Sequence, residues 1–441
     1  METGALVRRL LVLGGTLMNE VGSVTRRGFI GGAAASAVLA AAPSVFAQGS
    51  DKIRVGVIGC GGRGSGATYN VLAADPNVEI VALGDLFPER AKELAGRLKA
   101  EHAGRAKFTD ATTFSGWDAY QKVLASNCNY VILATPPGFR PMHFQAAVEA
   151  GKNIFMEKPV AVDPNGVRKV IAASAVAQQK GLAVVAGTQR RHQAGYVETI
   201  KRIHGGAIGE ILGGQVYWNQ GGLWMNPRQP AWDDMTWQLK NWLYFTWLSG
   251  DHIVEQHVHN IDVANWVMND TPVKVYGMGG RQVRTDPAYG HVYDHFAIEL
   301  EYKNGVKIQS MCRQIDGTAA RVSESFIGTK GTTNPSGSIN GATRYRFEGK
   351  QVDPYVQEHI DMIASIRAGK PLNEGKRIAE SCLTAIMGRL ACYSGQEITF
   401  DEAMKLELDI MPAEFKFGSL SVPPVAVPGR FKLTDGTFKG L

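Results

Sequence analysis

The sequence predicts an α/β chain: a doubly wound parallel sheet first, then an α+β part built on an open, mostly antiparallel sheet. Three observations carry this. Short apolar strands alternate with helical stretches from residue 52 to 159, the order that buries a parallel sheet between two helical layers. The first strand, IRVGVIG, runs directly into Gly59-Cys60-Gly61-Gly62-Arg63-Gly64. Beyond residue 270 the pattern changes to strand-like runs such as KVYGMGGRQV, HFAIELEYKNG and VKIQSMCRQI, separated by turn residues such as Lys303-Asn304-Gly305.

The chain has 441 residues, 44% of them hydrophobic, which is enough for two domains with real cores. Lys+Arg 47 against Asp+Glu 41 gives a charge of +6 without a basic run, so no nucleic-acid partner is expected. Five cysteines, with no Cys-x-x-Cys pair, argue against a disulfide framework or a zinc knuckle.

Residues 25–32 read Thr-Arg-Arg-Gly-Phe-Ile-Gly-Gly and lead into a small-residue apolar run. This resembles a twin-arginine (Tat) export signal cleaved after Ala47, and the run is shorter than the ~20 residues of a spanning helix. Residues 1–47 are therefore expected to be an address read by the Tat translocon, and the working site to be periplasmic or otherwise outside the cytoplasm. Removing four arginines and two glutamates with this segment leaves 394 residues of charge +4.

Residues 48–186 are expected to form a Rossmann domain. Gly59 permits the tight turn, Gly61 lets backbone approach a pyrophosphate, and Gly64 lets helix and strand pack closely; Cys60, Gly62 and Arg63 complete the loop. The next strand, VEIVALGD, ends on Asp85, about 20 residues past the last glycine, where a carboxylate meets ribose hydroxyls and repels a 2′-phosphate. NAD is thus favoured over NADP as cofactor. Helices at 89–102 and 117–126, strand 130–135, helix 141–150 and strand 153–159 continue the alternation. Gly59, Asp85, Thr135 and Lys158 all fall at strand ends, where such sheets bind ligands.

The segment 134–164, ATPPGFRPMHFQAAVEAGKNIFMEKPVAVDP, resembles the Gfo/Idh/MocA oxidoreductases, as do Gly-Thr-Gln-Arg-Arg at 187–191 and PLNEGKRIAESCLTAI near the C-terminus. The resemblance implies a cofactor site that also takes in Thr135, Pro136, Pro137, His143, Glu157 and Lys158. It implies a substrate domain, 187–417, on an open sheet that often supports homo-oligomers. Lys158 of Glu-Lys-Pro, with Pro159 holding the turn, is a cation suited to stabilise the alkoxide of a carbinol losing hydride.

The stretch 249–270, SGDHIVEQHVHNIDVANWVMND, reads as one helix with His252, Glu255, His259 and Asp262 within about an 80° arc and His257 pointing nearly the other way. It resembles the family signature D-x-G-x-H-x-x-D, with Glu255 in place of the first Asp and His257 in place of the glycine. The resemblance makes His259 the general base, oriented or tuned by Glu255 and Asp262. Three histidines and a glutamate so close also suit a metal, but one helix face supplies too few ligands and no metal is assigned.

Six of the eight tryptophans, Trp218, Trp224, Trp232, Trp237, Trp242 and Trp247, lie just before that stretch. Most are expected to pack a long irregular loop on the sheet, with one or two, Trp242 among them, meeting a sugar face. Arg190, Arg191 and His257 are further candidates for the substrate. Helices at 355–368 and 376–394 follow, and 418–441 is expected to be an arm on the surface or across a partner subunit.

The expected function is that of an exported enzyme transferring hydride between a sugar or glycoside carbinol and a tightly bound nicotinamide cofactor, loaded before export. Two alternatives differ in kind. One is a redox-neutral glycosidase that oxidises, eliminates, hydrates and reduces on a retained cofactor; the other is a non-catalytic sugar-binding or scaffold descendant of the fold.

Overall fold

A computed structural model describes residues 51–433. The export address, and residues 434–441 of the expected arm, lie outside them. Six strands, β1 (Ile53–Ile58), β2 (Val78–Asp85), β3 (Thr113–Ser115), β4 (Tyr130–Leu133), β5 (Asn153–Met156) and β6 (Val184–Ala186), form a parallel sheet in the order β3-β2-β1-β4-β5-β6. β1 and β4 are buried over nearly their whole length, as a sheet covered on both faces requires.

Successive side chains serve opposite layers. Tyr130 and Ile132 join the cluster under α1 (Gly62–Ala74) and α2 (Pro88–Glu101). Val131 and Leu133 join the one under α3 (Ala119–Ala125), α4 (Arg140–Glu149) and α5 (Pro164–Gln179). Because β1 pairs with β2 on one side and β4 on the other, the strand order reverses there and a crevice opens beyond their carboxyl ends.

The second sheet contains β7 (Ile211–Gln220), β8 (Lys274–Gly280), β9 (His295–Glu301), β10 (Lys307–Gln314), β11 (Arg321–Gly328), β12 (Gly331–Asn334), β13 (Ser338–Gly341), β14 (Tyr345–Arg346) and β15 (Ile398–Thr399). Its order is β14-β13-β12-β11-β7-β10-β9-β8-β15, antiparallel except where β10 runs beside β7. The helix Pro354–Arg367 does not stay with this sheet. Its Met362, Ile363 and Ile366 sit in the first domain's cluster, so the chain returns to close the face beside α1.

The single helix expected over 249–270 is broken. Helices Thr246–Ser249, His252–Glu255 and Val258–Met268 are separated by Gly250 and Asp251, both with positive φ, and by a turn at Gln256–His257. Asp251 pins the first break: its Oδ1 accepts from the His252 amide, and its Oδ2 accepts from the Tyr293 amide and the Tyr393 hydroxyl. At the second break His257 turns inward to Ser310, Nε2 to Oγ 2.7 Å, and Gln256 accepts from Gln314 at 2.7 Å.

Candidate active site

A cleft of about 920 Å³ lies beyond the carboxyl ends of β1, β2, β4 and β5 and is closed on its far side by the second domain. Gly59, Gly61, Gly62, Arg63, Asp85, Thr135, Pro136, Pro137, His143, Glu157, Lys158, Glu255 and His259 all line it.

The loop geometry follows from the glycines. Gly59 has φ +94°, and a Cβ there would sit 2.6 Å from the Ala134 carbonyl carbon; a Cβ on Gly64 would overlap the Gly59 carbonyl oxygen. A Cβ on Gly61 would find only Arg90 Nη1, 3.8 Å away, so this glycine faces open space over the start of α1, which has no side-chain cap. An uncapped helix N-terminus behind a bare glycine is the cradle a pyrophosphate needs. Asp85 holds the loop: its Oδ2 accepts from the Cys60 amide at 2.7 Å and its Oδ1 from the Phe87 amide at 2.9 Å. Burial pushes its carboxyl up, and those amides and Arg90 oppose the shift. Each oxygen keeps a lone pair for ribose hydroxyls. The donor set therefore fits a dinucleotide, and with a carboxylate at the ribose position it fits NAD.

Cys60 is buried beneath the loop. Thr135 Oγ1 lies 3.1 Å from His143 Nδ1, and that imidazole packs on Tyr120 at 4.4 Å. Burial, with Arg140 nearby, lowers His143 to about 3, so the ring is neutral. Glu157, nearly fully buried, pairs with Arg63, whose guanidinium lies 4.8 Å from the Tyr355 ring centroid.

Lys158 Nζ donates to the Glu255 carbonyl oxygen at 2.7 Å and to its Oε1 at 3.2 Å, both partners being about seven-eighths buried. His259 lies against Trp218, centroids 5.6 Å apart and planes 21° from parallel, and its Nδ1 is buried without a partner. Burial, then the Lys158 charge, hold its pKa well below the ordinary imidazole value. One wall of the cleft thus carries an ammonium and a neutral imidazole, the pair that handles an alcohol oxygen and its proton.

Four candidates sit elsewhere. Asp262, on the same helix as His259, is engaged in a buried cluster, its carboxylate receiving Arg191 at 2.8 Å, Arg377 at 3.0 Å and Ser381 at 2.8 Å. Those partners hold its pKa well below the usual carboxylate range against the cost of burial. The geometry gives Asp262 no contact through which to tune His259. Arg191 is spent on that cluster. Arg190 pairs with buried Glu324 at 2.7 Å behind Trp218 rather than lining the cleft. His257 is buried on Ser310 because the helix break turns it inward.

Of the tryptophans, Trp218, Trp224 and Trp242 line the cleft, whereas Trp237 and Trp247 are buried in the core. Sequence reasoning missed Arg140, which braces the end of β4 through the Leu133 and Thr135 carbonyls, each at 2.7 Å. It also missed Trp117, Tyr120, Lys240, Gln256, Tyr355 and Phe415 on the cleft wall. No local motif marks these, because tertiary packing alone gathers them.

Residues 53–187 match the model of the oxidoreductase family with an NAD-binding Rossmann fold, and residues 196–334 match the GFO/IDH/MocA C-terminal domain. Inositol 2-dehydrogenase 3 of Saccharopolyspora erythraea is 26% identical over 361 residues, 78% of this chain and 95% of that protein. The scyllo-inositol 2-dehydrogenase (NAD(+)) of Bacillus subtilis is 24% identical over 284 residues, 64% of this chain and 73% of that protein. Among solved structures, aldose-aldose oxidoreductase from Caulobacter crescentus complexed with glycerol has a TM-score of 0.62 at 17% identity, over 79% of this chain and 100% of that one. The WlbA dehydrogenase from Bordetella pertussis, in complex with NADH and UDP-GlcNAcA, has 0.61 at 19% identity, over 79% and 99%. At these identities the structures establish the fold.

Proposed function

Because the chain belongs to the Gfo/Idh/MocA oxidoreductases, we propose that it oxidises a secondary alcohol of a cyclic polyol or sugar, and reduces the ketone in reverse, with NAD as cofactor. The observation that carries this reading is the presence of Lys158 and His259 on the same cleft as the Gly61 loop and Asp85. The nicotinamide, when bound, supplies the hydride acceptor.

The chain's own residues handle oxygen and proton. Lys158, steered by Glu255, offers its ammonium to an oxygen gaining charge. His259, neutral and stacked on Trp218, takes the hydroxyl proton. The polyol or sugar class is supported by the inositol dehydrogenases among the relatives and by the Trp218 ring, whose apolar face suits the C–H face of a ring of alcohols.

Export belongs to the same proposal and rests on Arg26-Arg27 and the apolar run after them. Replacing both arginines by lysine should retain the protein in the cytoplasmic fraction, and unchanged fractionation would remove this part.

Absorbance at 340 nm over a panel of cyclic polyols and aldoses with NAD tests the reaction. Turnover is expected with at least one of them, and Lys158→Ala should cost roughly 30-fold or more in rate, the equivalent of about 2 kcal/mol of transition-state stabilisation. Near-parent turnover by that variant would remove Lys158 from the mechanism.

A further inference from the structure

Residues 221–242, part of the tryptophan-rich loop, and the C-terminal segment after Lys405, whose end from 418 is the arm expected on the surface or across a partner subunit, fasten to each other beside the Asp85 side of the cleft. The C-terminal segment is first pinned to the nucleotide domain, where Asn165 donates to Asp409 at 2.7 Å and the Ile410 amide to Asp163 at 3.1 Å. It then lays Phe415 and Phe417 on Trp117, with centroids 6.1 and 5.2 Å away; Phe415 is also 5.3 Å from Phe139, and Phe417 is 6.4 Å from Phe87. Next it ties to the insert. The Met235 amide donates to the Gly418 carbonyl at 3.1 Å, the Leu420 amide to Asp234 at 3.2 Å, and Gln238 to the Leu420 carbonyl at 2.9 Å. Beyond that, Tyr293 holds Ala426 at 2.9 Å and the Gly429 amide reaches Ser394 at 2.9 Å.

The insert reaches back across the same opening. Lys240 Nζ pairs with Glu89 at 2.6 Å and stands 3.9 Å from the Phe87 ring centroid. Phe87, Trp117, Lys240 and Phe415 line the cleft with Asp85 and Arg90, and Lys240 holds Phe87 and Glu89 just past Asp85, so the cover meets the cleft at its ribose-binding end.

The geometry points to a clasp: Lys240, Phe415 and Phe417, none of them from the glycine-loop domain, close the adenosine end of the cofactor site and hold the dinucleotide through successive turnovers. This rests on the reading of the cleft as an NAD site. A nucleotide under the clasp leaves only when the aromatic packing and the Lys240–Glu89 pair give way together, so opening of the clasp sets the release rate. The half-exposed Phe417 is its outer rim, with one face in water and the other on Trp117.

The test is a chase experiment. The full chain is loaded with NADH and mixed with excess NAD, and release is followed by the loss of bound-NADH fluorescence. Phe415→Ala combined with Phe417→Ala is expected to release NADH about 10-fold faster or more, and Lys240→Met, which leaves the core untouched, several-fold faster. Release within about twofold of the parent in Lys240→Met and in the aromatic variant, if it folds, would overturn the clasp. A parent chain that shows no saturable NADH signal overturns the cofactor reading itself, and that outcome is visible before any variant is compared.

Discussion

Lys158 touches both the carbonyl and the carboxylate of Glu255, so one residue fixes the ammonium by two atoms. His259, four residues on, stays neutral because burial and that ammonium disfavour its protonated form. A base held this way remains unprotonated to lower pH than an ordinary imidazole. The acid limb of kcat/KM is therefore expected below the usual value of about 6.5, and a limb at or above it would contradict the assignment. Asp262 has another part to play. Asp262→Ala would leave Arg191 and Arg377 without their shared buried carboxylate, and about 3–5 kcal/mol of stability should be lost in urea melts. A loss of turnover without a loss of stability would instead return Asp262 to the chemistry.

The glycine turn, α1 and the strand ends show why part of the site could be read in advance. Strand, turn and helix are local, and with the pairing of β1 and β2 they bring Gly59, Gly61 and Asp85 to the cleft, Gly64 packing on the Gly59 carbonyl behind them. Gly64→Ala would drive a methyl into the Gly59 carbonyl oxygen, so nucleotide binding should fall by more than about 10-fold, measured by titration calorimetry. Unchanged affinity would mean that the turn does not hold the cofactor. Periodicity failed at 249–270, where Asp251 gathers partners from Tyr293 and Tyr393, far along the chain, and the helix breaks to satisfy it. The tryptophan-rich loop buries Trp237 and Trp247 as its composition suggested, but the fastening of its Asp234, Met235 and Gln238 to Gly418 and Leu420 was not legible. Such partners lie nearly 200 residues away and leave no local signal.

Across the whole molecule, several buried histidines set the acid limit. Burial lowers His143, His257 and His359 to about 3 and His291 to about 4, against about 6.5 when unfolded. Between these values the unfolded chain binds more protons, so stability falls as pH drops below about 6.5, by up to ~1.4 kcal/mol per pH unit for each group. Glu358, whose carboxyl burial pushes up, opposes them with one proton. His192, raised to about 10 by Asp361 and Glu374, acts at the other end: its contribution is present below about 6.5 and lost as pH rises through 10. Urea melts at pH 7.5 and pH 5 should show a clear loss at the lower pH, and equal midpoints would mean that water reaches these rings. The joining of cofactor cleft, Lys158 and His259 is tested most directly by mass spectrometry of the nicotinamide after turnover with a perdeuterated cyclic polyol or aldose. One deuterium carried onto the nicotinamide ring, accumulating roughly 30-fold or more slowly in Lys158→Ala, is the expected result; substrate consumed by the parent with no deuterium on the nicotinamide would contradict it.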